Sequence, residues 1–560
     1  MPELLRGHGV SPGTAVGPVV RMPDPVTEPQ AGPPPDDTDA DVARIRPAMD
    51  LVATDLWARA GKAEGETKAV LEATAMMASD PELADLAENA VRQQGIPAPR
   101  AVWDAANTFR DLLAGAGGYV GARASDVEDV RNRIVGELLG VPAPGIPDPG
   151  HPFILVARDL APADTATINP ERVLAFVTAE GGPTSHTAIL ARALGIPAVV
   201  SCPEVLSLEE GTVLVLDGAT GTIDAAPDEA TVIEARERAA RAAARNRRWE
   251  GPGATADGRR IKLLANIGDP AGAQAAAAAG AEGVGLFRTE FLFLDRGDEP
   301  SESEQTESYT AVFGAFGEGT KIVVRTLDAG ADKPLPFLDQ GEEANPALGV
   351  RGLRIGLAQP EVLDRQLRAI AAAARSTKAD VWVMAPMVAV LSEAQAFDRH
   401  AREAGLRTTG VMVEIPAAAL SARAMLGAVD FVSIGTNDLA QYTLAADRMS
   451  GPLAALNDPW QPALLRLIGM VGAAGEAEAK PVGICGEAAA DPTLAPVLVG
   501  LGATSLSMSA RSLPDVGAVL KSVTLQECRD LAALAVDAED ATSARAAVRA
   551  SLPALDELGL

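Results

Sequence analysis

Cysteine is nearly absent: the 560-residue chain has three, at positions 202, 485 and 528. Thiols so few and so far apart exclude a disulfide framework and suit a reducing cytoplasm. Histidine is almost as scarce, with four residues, and no Cys/His cluster with zinc spacing occurs. Aromatic residues make up only 3% of the chain, so close packing falls to the abundant Ala and Gly. No run of about 18 uncharged apolar residues exists, which excludes a membrane-spanning helix of ordinary length. The opening Met1-Pro-Glu-Leu-Leu-Arg6 lacks the basic and apolar regions of a signal peptide. Positive charge is in deficit too, with 48 Lys and Arg against 76 Asp and Glu and a formal net charge of −28. That balance argues against a nucleic-acid partner, gives no long-range attraction to anionic lipid, and favours a partner with a basic patch.

What is present reads as a globular chain too long for one core, dividing into roughly two to four domains. A strand-like piece, Gly9-Val-Ser-Pro-Gly-Thr-Ala-Val-Gly-Pro18, leads into a Pro/Asp-rich linker around residues 22–37. Residues 38–140 are periodic and helical, with breaks near Asp80-Pro81 and Gly95-Ile-Pro97, and residues 141–150 hold four prolines. From 151 to 225 short apolar strands such as Phe153–Val156, Val173–Val177 and Thr212–Leu216 alternate with helices. This is the pattern of a small α/β unit that incorporates the N-terminal strand and carries the helical segment as an insertion. Residues 228–249 form a connecting helix rich in Ala, Arg and Glu. Beyond Gly251 eight strand candidates follow, at 261–267, 283–290, 321–328, 381–388, 408–416, 431–438, 481–487 and 505–510. Most are separated by helix-length segments, so the expected architecture is a (β/α)₈ barrel with its reactive groups at the strand C-termini.

The chemistry clusters in two places. Gly181-Gly-Pro-Thr-Ser-His186 runs into Thr187–Leu194, which has helical spacing and stops at Gly195-Ile-Pro197. His186 thus opens a helix, where free N–H groups and the helix dipole favour an anion. It either caps and packs the helix start or holds a phosphoryl group. The second cluster lies at the strand ends of the barrel. Arg288, Arg325, Lys333, Arg351 and Arg448 converge on one mouth, where guanidinium forks match phosphate and carboxylate oxygens. The alternative for each is an ion pair with a barrel acid such as Glu290 or Asp328. Glu414 and Asp438 both follow apolar strands, and as two hard oxygen ligands beside a phosphate they suit Mg²⁺; salt bridging is the alternative. Cys485, in Val482-Gly-Ile-Cys-Gly-Glu487, is either an inert small hydrophobe or a proton donor to a carbanion-like substrate.

Taken in order, Gly9-Val-Ser-Pro-Gly13, Gly181-Gly-Pro-Thr-Ser-His186, Gly285-Leu-Phe-Arg-Thr-Glu-Phe-Leu-Phe293, Asp332-Lys-Pro-Leu-Pro336, Asn345-Pro-Ala-Leu-Gly349, Glu414-Ile-Pro-Ala-Ala418, Gly435-Thr-Asn-Asp-Leu439 and Cys485-Gly-Glu487 resemble the enzyme I family of the bacterial phosphotransferase system. The resemblance runs over nearly the whole chain. It implies that His186 is phosphorylated by phosphoenolpyruvate and passes the group to the carrier protein HPr, releasing pyruvate in the first step of sugar phosphotransfer. It further implies that Arg288, Arg325, Asn437, Asp438 and Arg448 contact phosphoenolpyruvate, with Lys333 and Arg351 at the same mouth. Glu414 and Asp438 would ligate Mg²⁺, and Cys485 would protonate the enolate. The implied organisation is a swivelling phosphohistidine α/β domain (1–21 and 141–227), a helical HPr-binding insertion (22–140), a linker helix (228–250) and a phosphoenolpyruvate-binding (β/α)₈ barrel (251–560) that forms a homodimer. Family members differ from one another at the residue before Thr184, and the proline here is expected to alter the turn and not the chemistry. The segment ahead of His186 leaves no room for the ATP-grasp region of the dikinases that share this histidine and barrel. A catalytically dead binder of phosphoenolpyruvate or HPr is the remaining alternative.

Overall fold

The computed structural model describes the chain from residue 4 to 560 apart from 24–25, 62–64, 117–123, 142–145, 148, 161–167, 170–171, 183–185, 245–248, 294–295, 331–334, 339–340, 342 and 449–450. It divides into two compact units, Met1–Ala239 and Ala240–Leu560.

In the first unit, the strand read as continuous over 9–18 is two strands, β1 (Leu4–Arg6) being followed by β2 (His8–Ser11) and β3 (Thr14–Arg21). Pro12 has no amide to give a ladder, and Gly13 turns the chain at φ +129°, so one run becomes two strands, β2 at the edge of the sheet and β3 in its middle. The remaining strands are β4 (Phe153–Ala157), β5 (Val173–Thr178), β6 (Ala198–Val200), β7 (Val213–Asp217) and β8 (Thr222–Asp224), in the order β1-β8-β7-β3-β4-β5-β6-β2. Strands β3 and β4 pair in parallel, Val19 opposite Ile154, although the helices spanning Thr38 to Leu139 lie between them in sequence. The helical bundle is therefore inserted into the connectivity of the sheet. Asp80 caps the helix Pro81–Gln94 by accepting from the Glu82 amide, and Gly95, left-handed at φ +66°, ends it. The bundle buries its own apolar set, including Ile45, Leu56, Val91, Val102 and Ile134.

The second unit contains a closed, all-parallel barrel of β9 (Lys262–Ile267), β10 (Gly283–Arg288), β11 (Lys321–Arg325), β12 (Asp380–Ala385), β13 (Thr408–Val413), β14 (Phe431–Ile434), β15 (Val482–Ile484) and β16 (Ser505–Met508). Closure is direct: β16 returns to β9 with Leu506 opposite Leu263. Alternation sorts the side chains. Ile322, Val324, Val383, Val411, Val432 and Ile434 pack outward against helices, whereas Val323, Met384, Met412 and Phe431 fill the interior. Most of the strands are shorter than the sequence pattern suggests. The run 321–328 leaves the ladder after Arg325, and 431–438 leaves it after Ile434. The apolar pattern continues into loops, but their backbone turns inward to aim side chains at the mouth. Asp438 consequently lies in the first turn of the helix Thr436–Leu444 and not on a strand.

Candidate active site

The mouth is assembled from the C-terminal ends of the barrel strands. Arg325, the last residue of β11, is buried and donates to Glu290 Oε1 at 2.7 Å, with Asp328 Oδ2 at 3.1 Å. Arg351 is buried as well and grips Asp328 with both arms of its fork, at 2.9 and 3.0 Å, while Nη1 reaches Asp438 Oδ1 at 3.1 Å. Burial works against the charge of each guanidinium. Glu290 and Asp328 outweigh it at Arg325, and Asp328 and Asp438 do so at Arg351, so both stay above the usual arginine range. For these two residues the ion-pair alternative describes what they do within the protein. Arg288 is different: among the described residues it has no hydrogen-bond or ion-pair partner. It is exposed to solvent while the surrounding walls crowd it, and that crowding, with Arg325 close by, lowers its pKa. A guanidinium held in this way is available to an incoming anion.

Arg448, half-buried, lies 3.6 Å from Asp438 Oδ2, and Asn437 accepts from the Glu487 amide at 3.2 Å. Lys333 lies outside the described residues. Glu414, just beyond β13, is buried and accepts from the Met387 amide at 2.6 Å. Burial pushes its carboxyl up to about 8, with the charges of Asp438 and Asp328 adding to this and Arg325 opposing it. Met387 itself adopts φ +56°, an uncommon conformation for a residue with a side chain, which marks this contact as a strained point in the mouth. Cys485 is buried, donates from Sγ to the Ile434 carbonyl at 3.4 Å, and is pushed up to about 11 chiefly by burial; it is a thiol at neutral pH.

The acids Glu290, Asp328, Glu414 and Asp438 thus share the mouth with Arg288, Arg325, Arg351 and Arg448, and because burial disfavours the charge of Glu414 the arginines are left in excess before any ligand enters. Two buried polar atoms here have no partner among the described residues, Arg325 Nε and Thr436 Oγ1. Orphaned donors and acceptors at a strand-end mouth are positions that a polar ligand satisfies. The acid pair Glu414 and Asp438 fits a hard divalent cation: both offer buried oxygens, and their mutual repulsion is what a cation relieves. Among the described residues no group of three or more His, Cys, Asp or Glu forms a metal cage, so substrate and water would complete such a site.

Sequence reasoning missed several supports. Thr436 and the Met387 amide carried no signal of their own. Gln366, on the outer helix Pro360–Ser376, accepts from the Leu327 amide at 2.9 Å and donates to Thr289 Oγ1 at 3.0 Å, fixing the loop behind Arg325. Nothing distinguishes a glutamine of this kind in a helical sequence.

In the first unit, a left-handed Gly181 at φ +89° precedes the helix His186–Leu194, so His186 is its first residue. Residues 183–185 lie outside the described residues. Thr187, the next residue, donates from Oγ1 to Asp159 at 2.9 Å and ties the helix start to the loop after β4.

Comparison with known proteins bears on all of this. Residues 243–525 match the family described as PEP-utilising enzyme, PEP-binding domain; residues 149–221 match its mobile domain and residues 6–123 its N-terminal domain. Barrel, mouth and these matches define a phosphoenolpyruvate-utilising enzyme. A Streptomyces coelicolor phosphoenolpyruvate-protein phosphotransferase is 56% identical over 99% of this chain and 100% of its own. The protein of that description from Haloferax volcanii is 42% identical over 85% of each chain, and the one from Staphylococcus carnosus is 39% identical over 89% of this chain and 91% of its own. The chain belongs to the phosphoenolpyruvate–protein phosphotransferase family, as its motifs implied.

Proposed function

We propose that the chain transfers the phosphoryl group of phosphoenolpyruvate to His186 and then to a histidine of HPr, releasing pyruvate as the first step of sugar phosphotransfer. The observation that carries this is the location of the histidines. The barrel unit has one, His400, and it sits on the outer helix Leu391–Glu403, paired with Asp364 at 2.8 Å. A mouth suited to a phosphate donor therefore has no imidazole of its own, and His186 opens a helix in the other unit.

In this reading Arg288 and Arg325 receive the phosphate, with Lys333, Asn437 and Arg448 orienting the remaining oxygens and the carboxylate. Arg351 holds Asp328 and Asp438 in place. Glu414 and Asp438 would hold Mg²⁺, which when bound neutralises charge on the phosphoryl oxygens. Neutral His186 attacks phosphorus in line as the P–O bond to the enolate breaks; Cys485 then gives its proton to the methylene carbon, forming pyruvate. Because His186 and the mouth belong to different compact units, residues 1–21 with 141–227 act as a swivelling carrier about the 228–250 linker. The helices of 22–140 dock HPr, and the barrel of 251–560 forms a homodimer. Among the described residues no helix is long and apolar enough to cross a membrane; three free, buried cysteines suit the cytoplasm.

Incubation with ³²P-phosphoenolpyruvate, Mg²⁺ and HPr tests the reading. Acid-labile, alkali-stable label is expected on the protein and then on HPr, and none on His186→Ala. Label retained by that variant defeats the assignment of His186, and an unlabelled parent chain with intact ligand binding favours the regulatory binder.

A further inference from the structure

One buried charge in the barrel has no part in the mechanism above. Lys321 begins β11, at the end opposite the mouth, and is 6% exposed. Its ammonium sits 3.6 Å from the centre of the Trp382 ring and 5.4 Å from that of Phe431, and it has no hydrogen-bond partner among the described residues. Burial, with Lys262 on β9 adding to it and Asp380 on β12 opposing, brings its pKa down to about 7. Among the described residues no other charged group acts on it. A methionine would pack in this place without the cost of burying a charge.

Lys321 lines a small cavity, about 10 Å³ in volume, together with Ser433, Ser505, Ser507, Gly285 and Gly483. Leu264, Val323, Phe431, Val432 and Ile484 complete the lining, so polar and apolar groups share it, and the space is about that of one water. Gly483 keeps it open, since a Cβ there would stand 3.0 Å from Ser505 Oγ and 3.5 Å from Ser433 Oγ. At its upper side Ser433 is close enough to Cys485 to favour the thiolate, while the thiol itself donates to the Ile434 carbonyl at 3.4 Å. Cys485 is held in turn from β9, where Asn266 Nδ2 donates to its carbonyl at 3.1 Å.

We infer that Lys321, water in this cavity and Ser433 form a proton relay that recharges Cys485 from the floor of the barrel. The inference rests on the reading of Cys485 as the proton donor. After Cys485 gives its proton to the enolate carbon, Ser433 O–H donates to the thiolate. The cavity water donates to the Ser433 oxygen, Lys321 replaces the proton on the water, and solvent at the barrel floor reprotonates the lysine. The net change is one proton taken from solvent per pyruvate formed. The arrangement lets the thiol be recharged while substrate or product covers the mouth.

The relay is needed only after the first turnover, and this sets the test on the full-length enzyme. Lys321→Met, Ser433→Ala and Gly483→Ala are compared with the parent for pyruvate formed from phosphoenolpyruvate, first with enzyme in excess and then at steady state with HPr. Each variant is expected to complete the first turnover at a rate within about twofold of the parent, yet to run roughly tenfold slower at steady state, with an enlarged solvent deuterium effect. Steady-state rates within about twofold of the parent in all three variants, alongside a slowed first turnover in Cys485→Ala, overturn the relay alone. A first turnover in Cys485→Ala that matches the parent overturns the reading of Cys485, and the relay with it.

Discussion

Arg351 is the residue whose loss tests most directly how the mouth is held together. It spans Asp328 and Asp438, and these lie close enough to Glu414 to raise its pKa. Arg351→Met keeps the side-chain bulk but leaves three buried acids with Arg325 as the remaining fully buried cation nearby. Removing one partner of a buried ion pair costs about 3–5 kcal/mol, a large share of the roughly 5–15 kcal/mol by which a folded domain is stable. Arg351→Lys keeps the charge but cannot reproduce the two-armed grip, so it should lose about 2 kcal/mol, the worth of one charge-assisted hydrogen bond. Removing the acid as well, in Arg351→Met with Asp328→Asn, should restore about 1–3 kcal/mol relative to the sum of the single changes. Urea unfolding followed by tryptophan fluorescence reports on this, because Trp249, Trp382 and Trp460 lie in the barrel unit. The reasoning is refuted if Met and Lys at position 351 are equally stable, or if the double variant is additive within about 0.5 kcal/mol.

Lys321 predicts a pH dependence. Its folded pKa of about 7 lies below the value of roughly 10.4 expected when unfolded. The unfolded chain therefore binds more protons between those values, and stability should rise with pH across that window, by at most about 5 kcal/mol. Lys321→Met should flatten this rise and be the more stable protein at pH 7; parallel stability–pH curves for the two would contradict the assignment. Chelation by EDTA before phosphoenolpyruvate is added should abolish labelling of His186 and Mg²⁺ should restore it, whereas labelling that survives EDTA removes the metal role given to Glu414 and Asp438. Ser301 and Glu304 form a reciprocal cap at the start of Glu302–Gly314, so Ser301→Ala should cost about 1 kcal/mol by urea unfolding with phosphotransfer unchanged.

Several levels of this structure were legible in the sequence because they depend on local periodicity. Eight apolar runs separated by helix-length segments specified the barrel, and Gly-Gly followed by a helical pattern put His186 at a helix start. That Arg288, Arg325, Glu414 and Cys485 lie at or just beyond strand C-termini was legible too. Where each strand stopped was not legible. An apolar residue in a ladder and one in a loop folding over the mouth look alike in sequence, which is why 431–438 ended at Ile434. Nor could the five predicted cations be ranked. Only the folded arrangement commits Arg325 and Arg351 to internal acids while Arg288 is left without a partner among the described residues, because Glu290 reaches Arg325, and Asp328 and Asp438 reach Arg351, from other loops. The same holds for Lys321, an ordinary basic residue in the sequence. The inward alternation of β11 and closure of the barrel place it against aromatic faces, beside a cavity that Ser433 also lines. Local chemistry and pattern are properties of the sequence; the neighbours that set each charge's energy are supplied by residues tens to hundreds of positions away, and tertiary structure alone decides those.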